Sequence, residues 1–377
     1  MAPRLLIATV SAGAGHDRAA NALKRAFELG GYPGEARTVD MLQRCPWLVR
    51  GPGLRAYYSL LKRFPFAWRL IYARANKGTA GGRGRRLMAL VDRTLGRRFL
   101  RDVRDNPPSH VICTHWAPAE TLAWMRRTGR LAAPVAVVVT DYDDHSVWVN
   151  PGTDHYFVAS EHIRRRLADR GAPPDRITAP GIPIDPGFAA DLPQESARRE
   201  LGLDADRLTV LAMGGGGGLG PLRNTVETLA GCGDLQILAV AGHNERVRKQ
   251  LDEIDLPPAA RLVTYGYVDF IDKLMAAADL AVMKPGGLTS SECLAVGLPM
   301  LLTKPIPGQE EGNLDFLVEC GAALPARDPD ELRDALGQLL ADRARLDRMN
   351  AAARDAGRPD AARDIIDATL RIRPDRH

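Results

Sequence analysis

The stretch Lys284 to Asn313, KPGGLTSSECLAVGLPMLLTKPIPGQEEGN, carries residues suited to holding a charged ligand. An apolar run, Asp279 to Met283, leads into Lys284-Pro-Gly-Gly, and a helical pattern follows from Leu288 to Val296. Gly286 and Gly287 therefore sit where a strand turns into a helix, with Leu288 and Thr289 in the first turn. Backbone N–H groups at such a start have no partner within the helix, the macrodipole adds positive potential, and an anion there gains roughly 0.3–2 kcal/mol. Ser290 and Ser291 can add hydroxyl donors. Glu292, about one turn further in, can accept hydrogen bonds from a ribose, so the spacing predicts a nucleotide. After a second buried strand, Leu298 to Thr303, PIPGQEEGN holds Gln309, Glu310, Glu311 and Asn313 at the carboxyl edge of the sheet, the groups a hydroxyl-rich ligand needs. Gly286-Gly287 alone would equally describe an ordinary βαβ turn; the continuation into Gln309 and Glu310 favours a ligand site.

A second candidate opens the chain. Leu5 to Val10 reads as a strand, and Ser11-Ala-Gly-Ala-Gly-His16 turns into the helical pattern of Ala19, Ala20, Leu23 and Phe27. The third glycine of the dinucleotide fingerprint is missing, which sets NAD aside. An imidazole with an ordinary pKa near 6.5 suits removal of a hydroxyl proton, so His16 is either a general base or a cap for the following helix. His110 to Thr114 and Pro134 to Thr140 read as buried strands ending at His115 and Asp141, and ligands bind beyond such ends. His115 either meets a ligand or bonds to the backbone. Asp141, Asp143, Asp144 and His145 crowd one loop without helical ligand spacing or EF-hand glycines, and no metal is assigned to them. Leu208 to Met213, Gly214 to Gly218 and Leu219 to Leu229 repeat the strand, glycine turn and helix. Those glycines permit close approach to phosphate, or form a hinge.

Together these motifs resemble glycosyltransferase family 28, specifically the diacylglycerol glycosyltransferases, both the bacterial glucosyl enzymes and the monogalactosyldiacylglycerol synthases, and more distantly the peptidoglycan enzyme MurG. The resemblance rests on SxGxGH at 11–16, Thr140-Asp141 followed by His145 and Trp148, HYFVASE at 155–161, GIP at 181–183, the glycine run with Asn224, and the KPGG and PGQE segments. It implies an α/β GT-B fold with two Rossmann-like domains facing a cleft, a UDP-hexose donor, inversion at the anomeric carbon, and no metal or other cofactor. It implies His16 as general base, with Gly15 beside the donor. Gly214, Gly215, Gly216, Lys284, Gly286, Gly287, Leu288, Thr289 and Glu292 would hold UDP, backbone around Tyr267 and Val268 the uracil, and Gln309 with Glu310 the sugar. Asp141, His145 and Trp148 fall on the acceptor side, and the acceptor implied is diacylglycerol. Gly312 stands where a charged residue is expected before Asn313, which leaves glucose against galactose open. The rival within enzymes is a soluble transferase acting on a peptidoglycan precursor or a small metabolite. The rival outside them is a non-catalytic UDP-sugar sensor, against which the joint presence of His16, Glu292 and Gln309 speaks.

A chain of 377 residues is long for one core. The expected division is residues 1–186, residues 187–350, and a tail, 351–377, that crosses back to the first domain as GT-B tails do. No apolar run approaches the ~20 residues that span a bilayer, and the opening lacks a signal-peptide pattern, so a cytoplasmic protein is expected. Five scattered cysteines without CxxC spacing read as reduced thiols, neither zinc ligands nor a disulfide framework. The formal charge of +5 is concentrated between Arg44 and Arg104, where Arg and Lys alternate with Trp47, Tyr57, Tyr58, Phe64, Phe66, Trp68 and Tyr72. Such a segment suits an anionic membrane surface, a solvated basic helix with its aromatics in the core, or nucleic acid. The first is favoured, with the protein peripheral on the inner face of the cell membrane and nucleic acid not a partner.

Overall fold

The computed structural model describes residues 2–11, 13–53, 66, 76, 91, 93–215, 221–308 and 310–373. Gly216, Gln309 and most of the basic aromatic segment, including Tyr57, Tyr58, Phe64, Trp68 and Tyr72, lie outside the described residues. The chain forms two compact units, one of Met1–Pro186, Ile306–Gly312 and Asp360–His377, the other of Gly187–Pro305 and Asn313–Pro359.

The first unit contains β1 (Arg4–Thr9), α1 (Ala14–Leu29), β2 (Glu35–Asp40), α2 (Arg97–Asp105), β3 (His110–Cys113), α3 (Trp116–Arg127), β4 (Val135–Val138), β5 (His155–Phe157), α4 (Glu161–Asp169) and β6 (Ile177–Thr178). Its six-stranded parallel sheet has the order β2-β1-β3-β4-β5-β6. Strands such as Val135–Val138 are apolar throughout because both faces of the sheet are covered. Side chains alternate between those faces: Leu5, Ile7, Ala136 and Val138 pack with Leu23 and Phe27 of α1, while Leu6, Ala8, Val135 and Val137 pack with Phe99 of α2 and Leu122 of α3.

The second unit contains α5 (Gln194–Glu200), β7 (Leu208–Met213), α6 (Leu222–Ala230), β8 (Leu235–Val240), α7 (Glu245–Asp252), β9 (Arg261–Tyr265), α8 (Ile271–Ala277), β10 (Leu280–Met283), α9 (Gly287–Val296), β11 (Met300–Leu302), α10 (Glu311–Glu319, of which Glu311 and Gly312 belong to the first unit), β12 (Ala323–Pro325), α11 (Pro329–Ala341) and α12 (Arg343–Ala356). Its parallel sheet runs β12-β11-β10-β7-β8-β9. The last helix, α13 (Ala361–Arg371), belongs to the first unit, where Ile365 and Ile366 pack beside Leu23 and Phe27 and Asp367 accepts a 2.7 Å hydrogen bond from Tyr32.

Both units are Rossmann-like, and each sheet reverses its direction of growth beside its first strand, between β1 and β3 in one and between β7 and β10 in the other. In open parallel sheets ligands bind beyond the carboxyl ends of the strands at that reversal. His16 of the first unit and Gly214, Gly215 and Lys284 of the second lie there.

Candidate active site

In the first unit the turn after β1 is made possible by Gly13, whose φ of 111° suits only glycine. It delivers Gly15 and His16 into the first turn of α1. His16 Nδ1 lies 2.8 Å from the Thr114 carbonyl at the end of β3, and 3.0 Å from the Thr140 hydroxyl just past β4. A carbonyl only accepts, so Nδ1 carries the proton and the lone pair is left on Nε2. Thr114 also donates its hydroxyl to the His16 carbonyl at 3.1 Å, which fixes the backbone of the same residue. Burial lowers the His16 pKa to about 4, against the opposing pull of the Thr114 bond. The ring is therefore neutral at physiological pH, although the residue keeps some exposure.

His16 does not cap α1, which has no side-chain cap, whereas His115 caps α3, its Nδ1 accepting from the Ala117 N–H at 3.1 Å. The two imidazoles meet edge to face with centroids 4.7 Å apart, and burial, then the His16 charge, holds the His115 pKa well below its usual value. His145 repeats the device: it is buried, and its Nδ1 accepts from the Val147 N–H at 3.1 Å. Trp148, also buried, brings its ring to 6.5 Å from that of His16, and Asp141 is half-buried at the end of the neighbouring strand. Asp144 is held by Arg166 and Arg170, and Arg166 also approaches Asp143. Among the described residues no group of three His, Cys, Asp or Glu side chains is arranged to hold a metal ion.

In the second unit Gly214 and Gly215 follow β7, and Lys284 follows the adjacent β10. Gly215 has φ of 75°, and a Cβ built on it would lie 3.1 Å from Lys284 Cε, so the lysine chain runs over this glycine. Pro285 and Gly286 complete the turn, and α9 begins at Gly287 with no side-chain cap. The N–H groups of Gly287, Leu288 and Thr289 precede the first intrahelical bond, which Ser290 N makes to the Gly286 carbonyl at 3.0 Å. Asn313 is buried and donates to the Pro285 carbonyl at 3.0 Å, bracing the turn from the next segment of chain. Glu292 is buried one turn into α9. The serines behave otherwise than the sequence reading expected: Ser291 returns its hydroxyl to the Gly287 carbonyl at 2.8 Å and Ser290 is fully buried, because both fall on the helix face that packs inward.

Tyr267 and Val268 follow β9, at the far edge of the sheet from β10, and the exposed Tyr267 ring stacks on His243 with centroids 4.4 Å apart. Glu310 turns one carboxylate oxygen back onto the Ile306 N–H at 3.0 Å, closing its own loop, and that loop belongs to the first unit. Gly312, in the same loop, lies so close to Asp143 that an added Cβ would come within 2.8 Å of it.

A family model described as monogalactosyldiacylglycerol (MGDG) synthase matches residues 16–184, and one for glycosyl transferases group 1 matches residues 231–356. A processive diacylglycerol β-glucosyltransferase of Bacillus subtilis is 30% identical over 278 residues, covering 74% of this chain and 72% of the relative. The chain belongs to the diacylglycerol glycosyltransferase family. A like-named relative from Bacillus cereus strain AH187 is 28% identical over 376 residues, covering 98% of this chain and 93% of its own. Among solved structures, MurG of Acinetobacter baumannii aligns with a TM-score of 0.62 at 15% identity over 98% of this chain and all of the other, and Anabaena HepE in complex with UDP-glucose with 0.57 at 14% over 98% and 99%. These neighbours show the GT-B fold.

The chain is a UDP-sugar hexosyltransferase of this family. Sequence reasoning missed the groups that hold the His16 ring, Thr114 and Thr140. The signal was present. Each threonine closes an apolar strand run, the place where a buried hydroxyl points out of the sheet edge.

Proposed function

We propose that the protein transfers a hexose from a UDP-sugar to the hydroxyl of diacylglycerol at a membrane surface, with inversion and without a metal. The observation that carries this is the His16 imidazole, with Nδ1–H fixed on the Thr114 carbonyl and Nε2 bearing the lone pair. Nε2 takes the acceptor O–H proton as that oxygen bonds to the anomeric carbon. The bond from this carbon to the diphosphate oxygen breaks on the opposite side, and UDP leaves with the electron pair. A base of this kind contributes roughly 10²–10⁴-fold.

Negative charge then grows on the departing diphosphate. The uncapped start of α9 and the Lys284 ammonium are the groups suited to receive it. Glu292 serves the ribose, backbone at Tyr267 and Val268 the uracil, and Gln309 with Glu310 the sugar. On this reading no Lewis acid is needed, and Asp141, His145 and Trp148 shape the acceptor side. Diacylglycerol as acceptor is supported by the relatives named for that substrate, and a cytoplasmic, peripheral location follows from acting on a membrane lipid with a soluble donor. Among the described residues no helix is long and apolar enough to cross a membrane.

The test is the product formed from UDP-glucose and diacylglycerol in mixed micelles containing EDTA. Its anomeric proton coupling, read by NMR, should be that of the β-glucoside. An α-linked product would refute the single displacement, and formation only after divalent metal is restored would refute metal independence.

A further inference from the structure

The ladder between β1 and β2 ends where the Met41 N–H bonds to the Thr9 carbonyl at 2.9 Å, with Thr9 standing opposite Asp40. Ser11, two residues further on, has left the sheet, so its N–H needs a partner outside the ladder. Asp40 supplies one. Its Oδ1 accepts from the Ser11 N–H at 3.3 Å and from the Leu42 N–H at 2.8 Å, and its Oδ2 accepts from the Ser11 hydroxyl at 2.6 Å. One carboxylate thus gathers three donors, and its bond to Leu42 is the Asx turn that opens the helical turn Leu42–Arg44. Asp40 is itself firmly placed, because Val39 and Met41 on either side of it are buried in the core. Asp17, the other acid of this corner, is occupied by the Thr9 hydroxyl at 3.0 Å and leaves Ser11 to Asp40.

Between Ser11 and His16 the chain runs through Ala12, Gly13, Ala14 and Gly15, none of which has a side chain that can hydrogen-bond. The turn is therefore held at its two ends. Asp40 grips Ser11 where the chain leaves β1, and the Thr114 hydroxyl grips the His16 carbonyl in the first turn of α1. We propose that Asp40 is a positioning residue for the transfer reaction, clamping Ser11 so that the turn delivers His16 Nε2 to the acceptor hydroxyl. The proposal rests on the general-base reading of His16 above and names the group that aims that base. Both carboxylate oxygens are taken up by Ser11 and Leu42, so Asp40 holds the turn and does not itself react. A displacement of about 1 Å at a reacting group can cost on the order of 100-fold in rate, which is the scale on which such a clamp matters.

The experiment follows UDP release from UDP-glucose in micelles containing diacylglycerol, with UDP affinity read by calorimetry. It compares the unaltered protein with Asp40→Ala, Asp40→Asn, Ser11→Ala, His16→Ala, and Asp40→Ala combined with His16→Ala. Asp40→Ala should lower kcat by roughly 10- to 100-fold and leave the KM for UDP-glucose and the UDP affinity unchanged. Asp40→Asn keeps an oxygen for the two N–H groups and can donate its amide to the Ser11 hydroxyl, so it should restore most of the rate. Ser11→Ala, which loses only the hydroxyl bond, should be slowed less than Asp40→Ala. The combined variant should be no slower than His16→Ala alone, because the clamp acts through His16. Losses that multiply in the combined variant would show that Asp40 acts on folding or on another step, and would overturn the proposal. So would Asp40→Asn as slow as Asp40→Ala, which would make charge the cause, or an unaltered rate in Asp40→Ala. If Asp40→Ala does not fold, Ser11→Ala carries the test, and an unaltered rate there overturns the proposal. Failure of the base reading registers separately, as normal turnover in His16→Ala.

Discussion

The turn after β1 and the turn after β10 occupy equivalent places, each beyond a strand that borders its sheet's reversal, yet they present opposite chemistry. The first offers a titratable side chain whose tautomer is set by the Thr114 carbonyl and whose neutrality is set by burial. The second offers backbone N–H groups and a lysine, braced by Asn313. Proton removal needs one group with a tuned lone pair; holding a diphosphate needs several fixed donors that never titrate. The same α/β frame supplies either, depending on whether the turn ends in His16 or in Gly286 and Gly287.

The division of labour can be broken at each turn separately. The largest effect is expected for His16→Ala, with kcat/KM lower by roughly 10²–10⁴ and UDP affinity, read by calorimetry, unchanged. Gly215→Val should do the reverse. A β-branched residue at a φ of 75° is strained, and its Cβ would press on Lys284, so UDP affinity should fall by about tenfold or more from a cost of roughly 1–3 kcal/mol.

Asn313→Ala leaves the Pro285 carbonyl without its buried donor and should lower stability by about 1–3 kcal/mol. Denaturant unfolding reads that loss, and the donor KM should rise with it. The smallest effect should appear in the pH profile. The folded His16 pKa of about 4 lies below the unfolded value of 6.5, so the unfolded chain binds more protons between those values. The stability tied to neutral His16 is therefore present above about pH 6.5 and lost as pH falls towards 4. The acid limb of kcat/KM should likewise fall near pH 4 rather than near 6.5.

Much of this frame was legible in the sequence. The strand Leu208–Met213 has the bounds that the sequence predicts. The glycine turns announced themselves because Gly13 and Gly215 need positive φ. Other elements left little trace. β5 is three residues long, too short for any period, and α12, RARLDRMNAAARDA, buries only Leu346, Met349 and Ala353 and reads as a solvated helix or tail. At the site, the residue types were legible and their partners were not. That His115 caps α3 while His16 does not follows from which strand ends lie side by side, a fact of sheet order rather than of local pattern. Ser290 and Ser291 were misread as ligand donors for a related reason: two adjacent hydroxyls look alike in sequence, and only helix packing decides which way they face.

The central proposal, that neutral His16 activates a lipid hydroxyl for transfer from a UDP-sugar, is tested most directly by the rate of UDP release from UDP-glucose in neutral mixed micelles as diacylglycerol is titrated in. The account predicts release that rises from near background to saturation with diacylglycerol. Release at the same rate without the lipid, or no release at any lipid concentration while UDP still binds, would contradict it.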